Sequence, residues 1–267
     1  MPNLNTKILG ALPVLFPPLD EQKRIAAILD KADAIRRKRQ EAIALTDELL
    51  RSTFLEMFGD PVTNPKGWAE YPLRALCSHV VDCPHSTPTY SPAPTGYFCV
   101  RSSDIRNSRM VLSETKQVPE EVFHERIKRL EPTANDIIYC REGGRFGNAA
   151  LVPPSLHLCM GQRMMLLRAA VHIATPIFLW MAVTSPDFYR RASNLSVGTA
   201  APRVNVRDLV EVSVLTPPLE LQQRFESIAE TTMALRDRLG RAAEYDENLF
   251  HSLIHHAFHG DLLNTAA

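Results

Sequence analysis

No run in this sequence approaches the roughly 18 consecutive apolar residues that a membrane-spanning helix needs. The opening MPNLNTKILGALPVLF carries one lysine, prolines and no small-residue cleavage site, so a secretory leader is not expected. Both absences lead to the expectation of a cytoplasmic chain with no membrane partner. Cysteine is scarce and unpaired in pattern: Cys77, Cys83, Cys99, Cys140 and Cys159 are five, and none forms a CxxC spacing. An odd number without that spacing fits reduced thiols better than a disulfide framework. Catalytic signatures are missing too. There is no GxSxG elbow, no phosphate-binding loop, and neither the Asp/Asn-Pro-Pro-Tyr nor the Gly-rich cofactor motif of an adenine methyltransferase. The chain is therefore read as non-catalytic.

Net charge is absent as well, but the zero total hides a division. From Lys66 to Arg207 there are 17 Lys+Arg against 11 Asp+Glu, whereas from Asp208 onward there are 4 against 10. The segment Asp20 to Met57 holds 8 of each sign. The middle of the chain can face a polyanion and the C-terminal part cannot. With 267 residues, 45% of them hydrophobic, the chain can bury a core in one large domain or two smaller ones.

What is present is an internal repeat at a constant offset of 200. Pro17, Pro18, Leu19, Gln22 and Arg24 recur as Pro217, Pro218, Leu219, Gln222 and Arg224. The match continues through Val14-Leu15 with Val214-Leu215, Leu49 with Leu249, Ser52 with Ser252 and Phe58 with Phe258. Each copy reads as a long helix. The double proline fixes an extended entry, Asp20 or Glu220 puts a carboxylate in the first turn, and no proline or glycine follows before Gly59; in the second copy only Gly240 interrupts. Apolar residues fall at Ile25, Ile28, Ala32, Ile35, Ala42 and Leu49, and at Phe225, Ile228, Leu235, Leu239, Ala242, Leu249 and Leu253, a track that predicts a coiled-coil seam. Arg39, Thr46, Thr232 and Asp246 blunt it, so the two helices are expected to need each other, and the repeat at an offset of 200 leads to the expectation that they pair as an antiparallel coiled coil. Each would be roughly 57 Å long at 1.5 Å rise per residue.

Between the helices the sequence changes character. Short β-rich runs at 97–100, 136–140, 149–152 and 164–167 are divided by Pro, Gly, Ser and Asn, with one helix expected from Pro176 to about Ser193. The fold class that follows is α+β: one mixed α/β globule with a strongly twisted sheet, flanked by two long helices.

Five stretches together resemble the type I restriction–modification specificity subunits. They are PPLDEQKRIAAILDKADAIRRKR, FLEMFGDPVTNPKGW, NDIIYCREGGRFGNAALV, GTAAPRVNVRDLVEVSV and PPLELQQRF, in the family's order. Leu221 departs from the family's glutamate at that position, and one globule stands where the family alternates two recognition domains with two helices. The resemblance is therefore to the C-terminal part of a specificity subunit, or to a half-subunit with one target recognition domain. It implies a terminal strand remnant of a recognition domain over 1–16, a first spacer helix over 17–60, a target recognition domain over 61–216 and a second spacer helix over 217–267. It implies double-stranded DNA as ligand, with modification (methyltransferase) subunits and, in the full complex, restriction subunits as partners. No cofactor is implied in this chain, S-adenosylmethionine belonging to the modification subunit. A single recognition domain reads half of a bipartite target, so a chain acting alone is expected to form a homodimer.

The residues themselves give candidate DNA contacts where arginines fall between turn residues. Arg101, Arg106 and Arg109 with Asn107 lie in RSSDIRNSR, Arg141 and Arg145 with Asn148 in REGGRFGN, and Arg203 precedes the second helix. A guanidinium fork can take guanine O6 and N7 or a phosphate, and asparagine can pair with adenine. Gly143 and Gly144 would let the backbone approach closely. Two metal readings are weak. His251, His255 and His259, with His256 beside them, follow a four-residue spacing without a carboxylate in HExxH order, and Cys77, His79, Cys83 and His85 match no standard zinc module. The alternative to a DNA-reading subunit is a protein-interaction adaptor that recruits a partner through its paired helices.

Overall fold

In a computed structural model, residues 5–11, 17–196 and 202–259 are described. They divide into two compact units, Met1–Arg51 with Glu230–Ala267, and Ser52–Ala229. The two long helices, α2 (Leu19–Phe58) and α7 (Leu219–His259), each contribute to both units. Their identical openings have a shared cause. Gln22 N–H donates to the Pro18 carbonyl at 3.0 Å and its side-chain Nε2 reaches back to the Pro17 carbonyl at 2.8 Å. Gln222 repeats both bonds, at 3.2 Å to Pro218 and 2.8 Å to Pro217. The glutamine thus ties the extended Pro-Pro entry to the first helical turn, whose carboxylates Asp20, Glu21 or Glu220 complement its dipole.

In the first unit the helices run antiparallel, as three ion pairs fix: Arg36–Glu247 at 2.9 Å, Arg39–Asp246 at 3.1 Å and Arg236–Asp47 at 2.6 Å. At the offset of 200 the first and last of these exchange partners, Arg36 becoming Arg236 and Glu247 becoming Asp47, so the sequence repeat generates a local two-fold. The shielded track is Ile25, Leu29, Ala32, Arg36, Arg39, Ile43, Thr46 and Leu50, continued on α7 by Thr232, Arg236, Leu239, Ala243, Asp246, Phe250 and Leu253. Of the sequence-based seam, Ile25, Ile28, Ala32, Ala42, Phe225, Leu239, Ala242 and Leu253 are shielded, whereas Ile35, Leu49, Ile228, Leu235 and Leu249 are exposed, so the expected track is corrected at those five positions. The polar residues expected to blunt the seam are part of it. Arginine stems pack their methylenes while their heads meet carboxylates, and the Arg36 guanidinium also lies 4.6 Å from the Phe250 ring centroid. The terminal strand remnant expected over 1–16 is described only at residues 5–11. Thr6–Gly10 forms one helical turn (α1), capped by the Asn5 side chain accepting from Ile8 N–H at 2.9 Å. Among the described residues no strand pairs with it, so local hydrogen bonding prevails; residues 12–16 lie outside the described residues.

The second unit is mixed α/β. Its strands are β1 (Ala69–Pro72), β2 (Cys77–Asp82), β3 (Tyr97–Val100), β4 (Ile105–Arg106), β5 (Arg109–Met110), β6 (Ile137–Cys140), β7 (Ala149–Leu151), β8 (His157–Met160), β9 (Met164–Ala169) and β10 (Ser213–Thr216). A four-stranded antiparallel sheet has the order β2-β9-β6-β7. Two-stranded pairings join β3 to β8 in parallel, β4 to β5 as a hairpin, and β1 to β10 antiparallel with Ala69 opposite Thr216. A short helix, α3 (Glu120–Arg126), packs against β3 and β8. The sheet core joins Ile138, Cys140, Ala150, Leu158, Met164 and Leu166, all fully enclosed. The single helix expected from Pro176 is two, α4 (Pro176–Val183) and α5 (Pro186–Asn194). Pro186 brings no N–H to continue α4, and Ser185 instead caps the second helix by accepting from Phe188 N–H at 3.2 Å. A further turn, α6 (Val206–Leu209), precedes β10.

The stretch FLEMFGDPVTNPKGW is a helix-stopping device. Gly59 adopts φ +82 and its N–H donates to the Leu55 carbonyl at 2.7 Å, the left-handed cap that a side chain resists. Lys66 Nζ donates to the Glu56 and Met57 carbonyls, and Trp68 Nε1 to that of Phe58 at 2.7 Å. The helix end is thereby satisfied, and Phe54 and Phe58 pack with Phe178 and Phe225 at centroid distances between 4.8 and 5.9 Å, mostly edge to face. Enclosing each such ring contributes about 1.5–3 kcal/mol.

Candidate nucleic-acid interface

Four segments of the second unit converge on the backbone of Arg141. Its N–H donates to the Arg163 carbonyl at 3.1 Å, its carbonyl accepts from Val204 N–H at 3.1 Å, and the next loop residue but one, Gly143, donates to the Pro202 carbonyl at 2.9 Å. The side chain of Arg141 turns inward onto Asp82, Nε to Oδ1 at 2.9 Å and Nη2 to Oδ2 at 3.1 Å. The end of β2, the β6–β7 loop (141–148), the β8–β9 turn (161–163) and the segment from 202 are thereby locked together. Asp82 also faces His85 Nε2 at 3.3 Å, and Gln162 Nε2 donates to the His85 carbonyl at 2.6 Å.

The loop owes its shape to glycine at two points. Gly147 has φ +86, and a Cβ there would stand 2.4 Å from Tyr189 Cδ2. Gly143, also at φ +86, leaves room for the Arg163 guanidinium, whose Nη1 is 3.5 Å from where a Cβ would be. Arg145 and Arg203 are exposed on this surface, and Arg163 is held by Glu142 only at 3.9 Å. Glu142 and Arg203 also pair through an isolated backbone bridge. The result is a rigid floor that carries three exposed arginines, of which Arg163 has a glutamate at 3.9 Å, suited to a polyanion with hydrogen-bonding edges.

The sequence candidates fall into different places. Gly143, Gly144, Arg145, Asn148 and Arg203 are brought together here, with Asn148 closing the loop through its N–H to the Arg145 carbonyl. Arg141 is in the cluster, but only 5% exposed, and its fork is committed to Asp82 rather than displayed. Arg101 is similarly bound to Asp104, Nη2 to Oδ1 at 2.7 Å and Nε to Oδ2 at 3.0 Å. Arg106 meets Glu114 at 2.6 Å on the neighbouring hairpin. Asn107, with Ser108, forms the left-handed two-residue turn between β4 and β5, at φ +49 and +58, and Arg109 follows it. Sequence reasoning passed over Gln162 and Arg163. The signal was there in Gly161-Gln162-Arg163, an arginine beside a glycine between two apolar runs, the same logic that singled out the REGGR stretch.

Nucleophilic chemistry does not suit this cluster. Burial pushes the Cys140 thiol, next to Arg141, up to about 12. Cys83 is raised by burial as well and accepts from Met164 N–H at 3.4 Å. Among the described residues no group of three or more His, Cys, Asp and Glu side chains is arranged to hold a metal. His255 and His259 stack ring on ring at 4.1 Å and His251 meets Glu247 at 3.3 Å. No helix among the described residues is long and apolar enough to cross a membrane.

The family profile described as "Type I restriction modification DNA specificity domain" matches residues 1–45. The specificity subunit of the type I restriction enzyme EcoBI of Escherichia coli is 24% identical over 294 residues, spanning 97% of this chain and 60% of the relative. That of EcoDI, also of Escherichia coli, is 32% identical over 90 residues, covering 32% of this chain and 20% of the relative. These stretches are similar to the type I restriction–modification specificity subunits. The fold agrees with solved specificity-subunit structures. The type I restriction–modification S subunit from M. genitalium aligns at TM-score 0.56 and 14% identity, over 90% of this chain and 61% of that one. A chain from work on complex assembly and conformational transition of the type I R-M system aligns at 0.54 and 21%, over 92% and 61%. This chain spans 60% of the length of the EcoBI specificity subunit.

Proposed function

We propose that this chain is the DNA-reading and scaffolding subunit of a type I restriction–modification complex: the second unit binds a short sequence in double-stranded DNA, and the paired helices hold it at a fixed place in the assembly. Methylation and cleavage are then carried out by modification and restriction subunits, and S-adenosylmethionine is bound by the modification subunit. The reading rests on one observation, the locked floor around Arg141 that displays Arg145, Arg163 and Arg203 in the part of the chain with a cationic excess. Phosphate contacts from such arginines supply affinity that falls with salt, and base-edge contacts supply the choice of sequence. A bipartite target needs a second reading unit, which a homodimer of a chain acting alone would provide.

The test is selection from a random-sequence duplex pool by mobility shift, using the full chain with and without modification subunits, and light scattering in parallel. Enrichment of one short sequence is expected, with binding that weakens steeply between low and moderate salt. Retention of all duplexes alike, or of none, would replace this reading with that of a protein-interaction adaptor.

A further inference from the structure

We propose that Arg163 is the specificity-determining side chain of the recognition unit, reading a guanine edge in the major groove, while Arg145 and Arg203 hold phosphates. The inference rests on the DNA-recognition reading and assigns a division of labour within the same surface.

The first ground is backbone conformation. Six non-glycine residues among those described have positive φ, and five are asparagine or serine, types whose short polar side chains tolerate it; Arg163, at φ +69, is the sixth. A long side chain held in the left-handed region is found where the surrounding structure over-determines it, commonly at a functional site. Here the surroundings do so. Gly161 N–H donates to the Val100 carbonyl at 2.7 Å, so close that a Cβ on Gly161 would meet that carbonyl at 2.8 Å. Gln162 fastens the turn to His85, and the Arg163 carbonyl accepts from Arg141 N–H. The turn is fixed on three sides.

The second ground is where the guanidinium lies. It lies beside Gly143, its Nη1 3.5 Å from where a Cβ would stand, 58% exposed along its side chain, with Glu142 at 3.9 Å. That separation is at the outer limit of an ion pair, in contrast to the bidentate grips on Arg101 and Arg141, so the fork's donors remain available. A rigid base carrying a planar fork is what bidentate reading of guanine O6 and N7 requires, because a misplacement of an ångström forfeits one of the two bonds. Arg145 is exposed in the β6–β7 loop, where a charge can follow a phosphate without such framing, and Arg203, although its backbone is bridged to Glu142, is not held in the left-handed region.

The experiment repeats the duplex selection with Arg163→Gly, which suits the left-handed backbone and keeps the fold, and Arg163→Lys, which keeps the charge and loses the fork. Both variants are expected to lose preference for guanine at one position of the enriched sequence by about tenfold or more. The salt dependence of Arg163→Lys should stay as in the unmodified chain. Arg145→Ala should instead weaken every sequence alike and reduce the salt slope by about one. If both Arg163 variants enrich the original sequence with undiminished preference at every position, the assignment is overturned while DNA recognition stands. If the unmodified chain enriches nothing, the recognition reading itself fails and carries this one with it.

Discussion

Removing the Arg141 guanidinium should destabilise the second unit rather than act as the loss of one exposed contact. Its side chain is 6% exposed against 24% for Asp82, and two of its nitrogens lie 2.9 and 3.1 Å from the two carboxylate oxygens. Arg141→Ala would leave that carboxylate with His85 alone, at 3.3 Å from Asp82 and 70% exposed. Breaking a buried pair from one side costs about 3–5 kcal/mol, and the partial exposure of Asp82 points to the low end, about 3 kcal/mol. For a unit of this size that is a fall in Tm of roughly 6–12 °C. Both tryptophans, Trp68 and Trp180, lie in the unit concerned, so urea unfolding followed by their fluorescence reports it directly. Replacing both partners by apolar residues, Arg141→Met with Asp82→Leu, should recover most of the loss, since neither then buries an uncompensated charge. A variant Arg141→Ala as stable as the parent to within about 0.5 kcal/mol, yet altered in the sequence it selects, would refute the reasoning and return Arg141 to the DNA surface.

Three further outcomes follow from the geometry. The Gln222 side chain is fully enclosed, accepts from Thr175 N–H at 2.9 Å and donates to the Ile173 and Pro217 carbonyls at 3.0 and 2.8 Å, whereas the Gln22 side chain makes, among the described residues, the bond to Pro17. Gln222→Ala should therefore cost about 2–3 kcal/mol and Gln22→Ala about 1 or less in urea unfolding, and equal losses would count against the assignment. Gly147→Ala meets both the Tyr189 ring at 2.4 Å and a φ of +86, so it should lower stability by about 2 kcal/mol or more, with Tyr189→Ala relieving part of the penalty; a neutral effect in calorimetry would contradict the packing. Burial pushes the Cys77 and Cys140 thiols up to about 12, so their modification by a thiol reagent at pH 8 should be slow in the folded chain and fast in urea. Because those values are raised on folding, the contribution of both thiols to stability is full below about pH 9 and is lost as pH rises toward 12. Rapid labelling of both in the folded chain would disprove it.

The helix repeat was legible because proline, glutamine and periodic apolar residues act locally: the Pro-Pro entry and the returning glutamine need nothing beyond six residues to form. The exact seam was not, because an apolar count weighs Ile35 and Leu249 above Arg36 and Asp246, and the gain from pairing charges across two helices depends on both at once. The same limit applied at the candidate interface. Arg141 and Arg145 read alike in REGGRFGN; what separates them is Asp82, a residue 59 positions away from Arg141 that takes one fork inward. Asn107 looked like a base reader because asparagine is both an adenine partner and a left-handed turn residue, and at φ +49 in a two-residue turn the second role already accounts for its choice. Arg163 shows the converse. Composition offers no reason for arginine at a left-handed position, and only the combined constraints of Val100, His85 and Arg141 on one short turn show that its backbone is held there. A residue chosen against its own backbone preference has to be explained by what its side chain does, and a fork beside a glycine at the rim of a cationic floor is the explanation the neighbouring groups leave open.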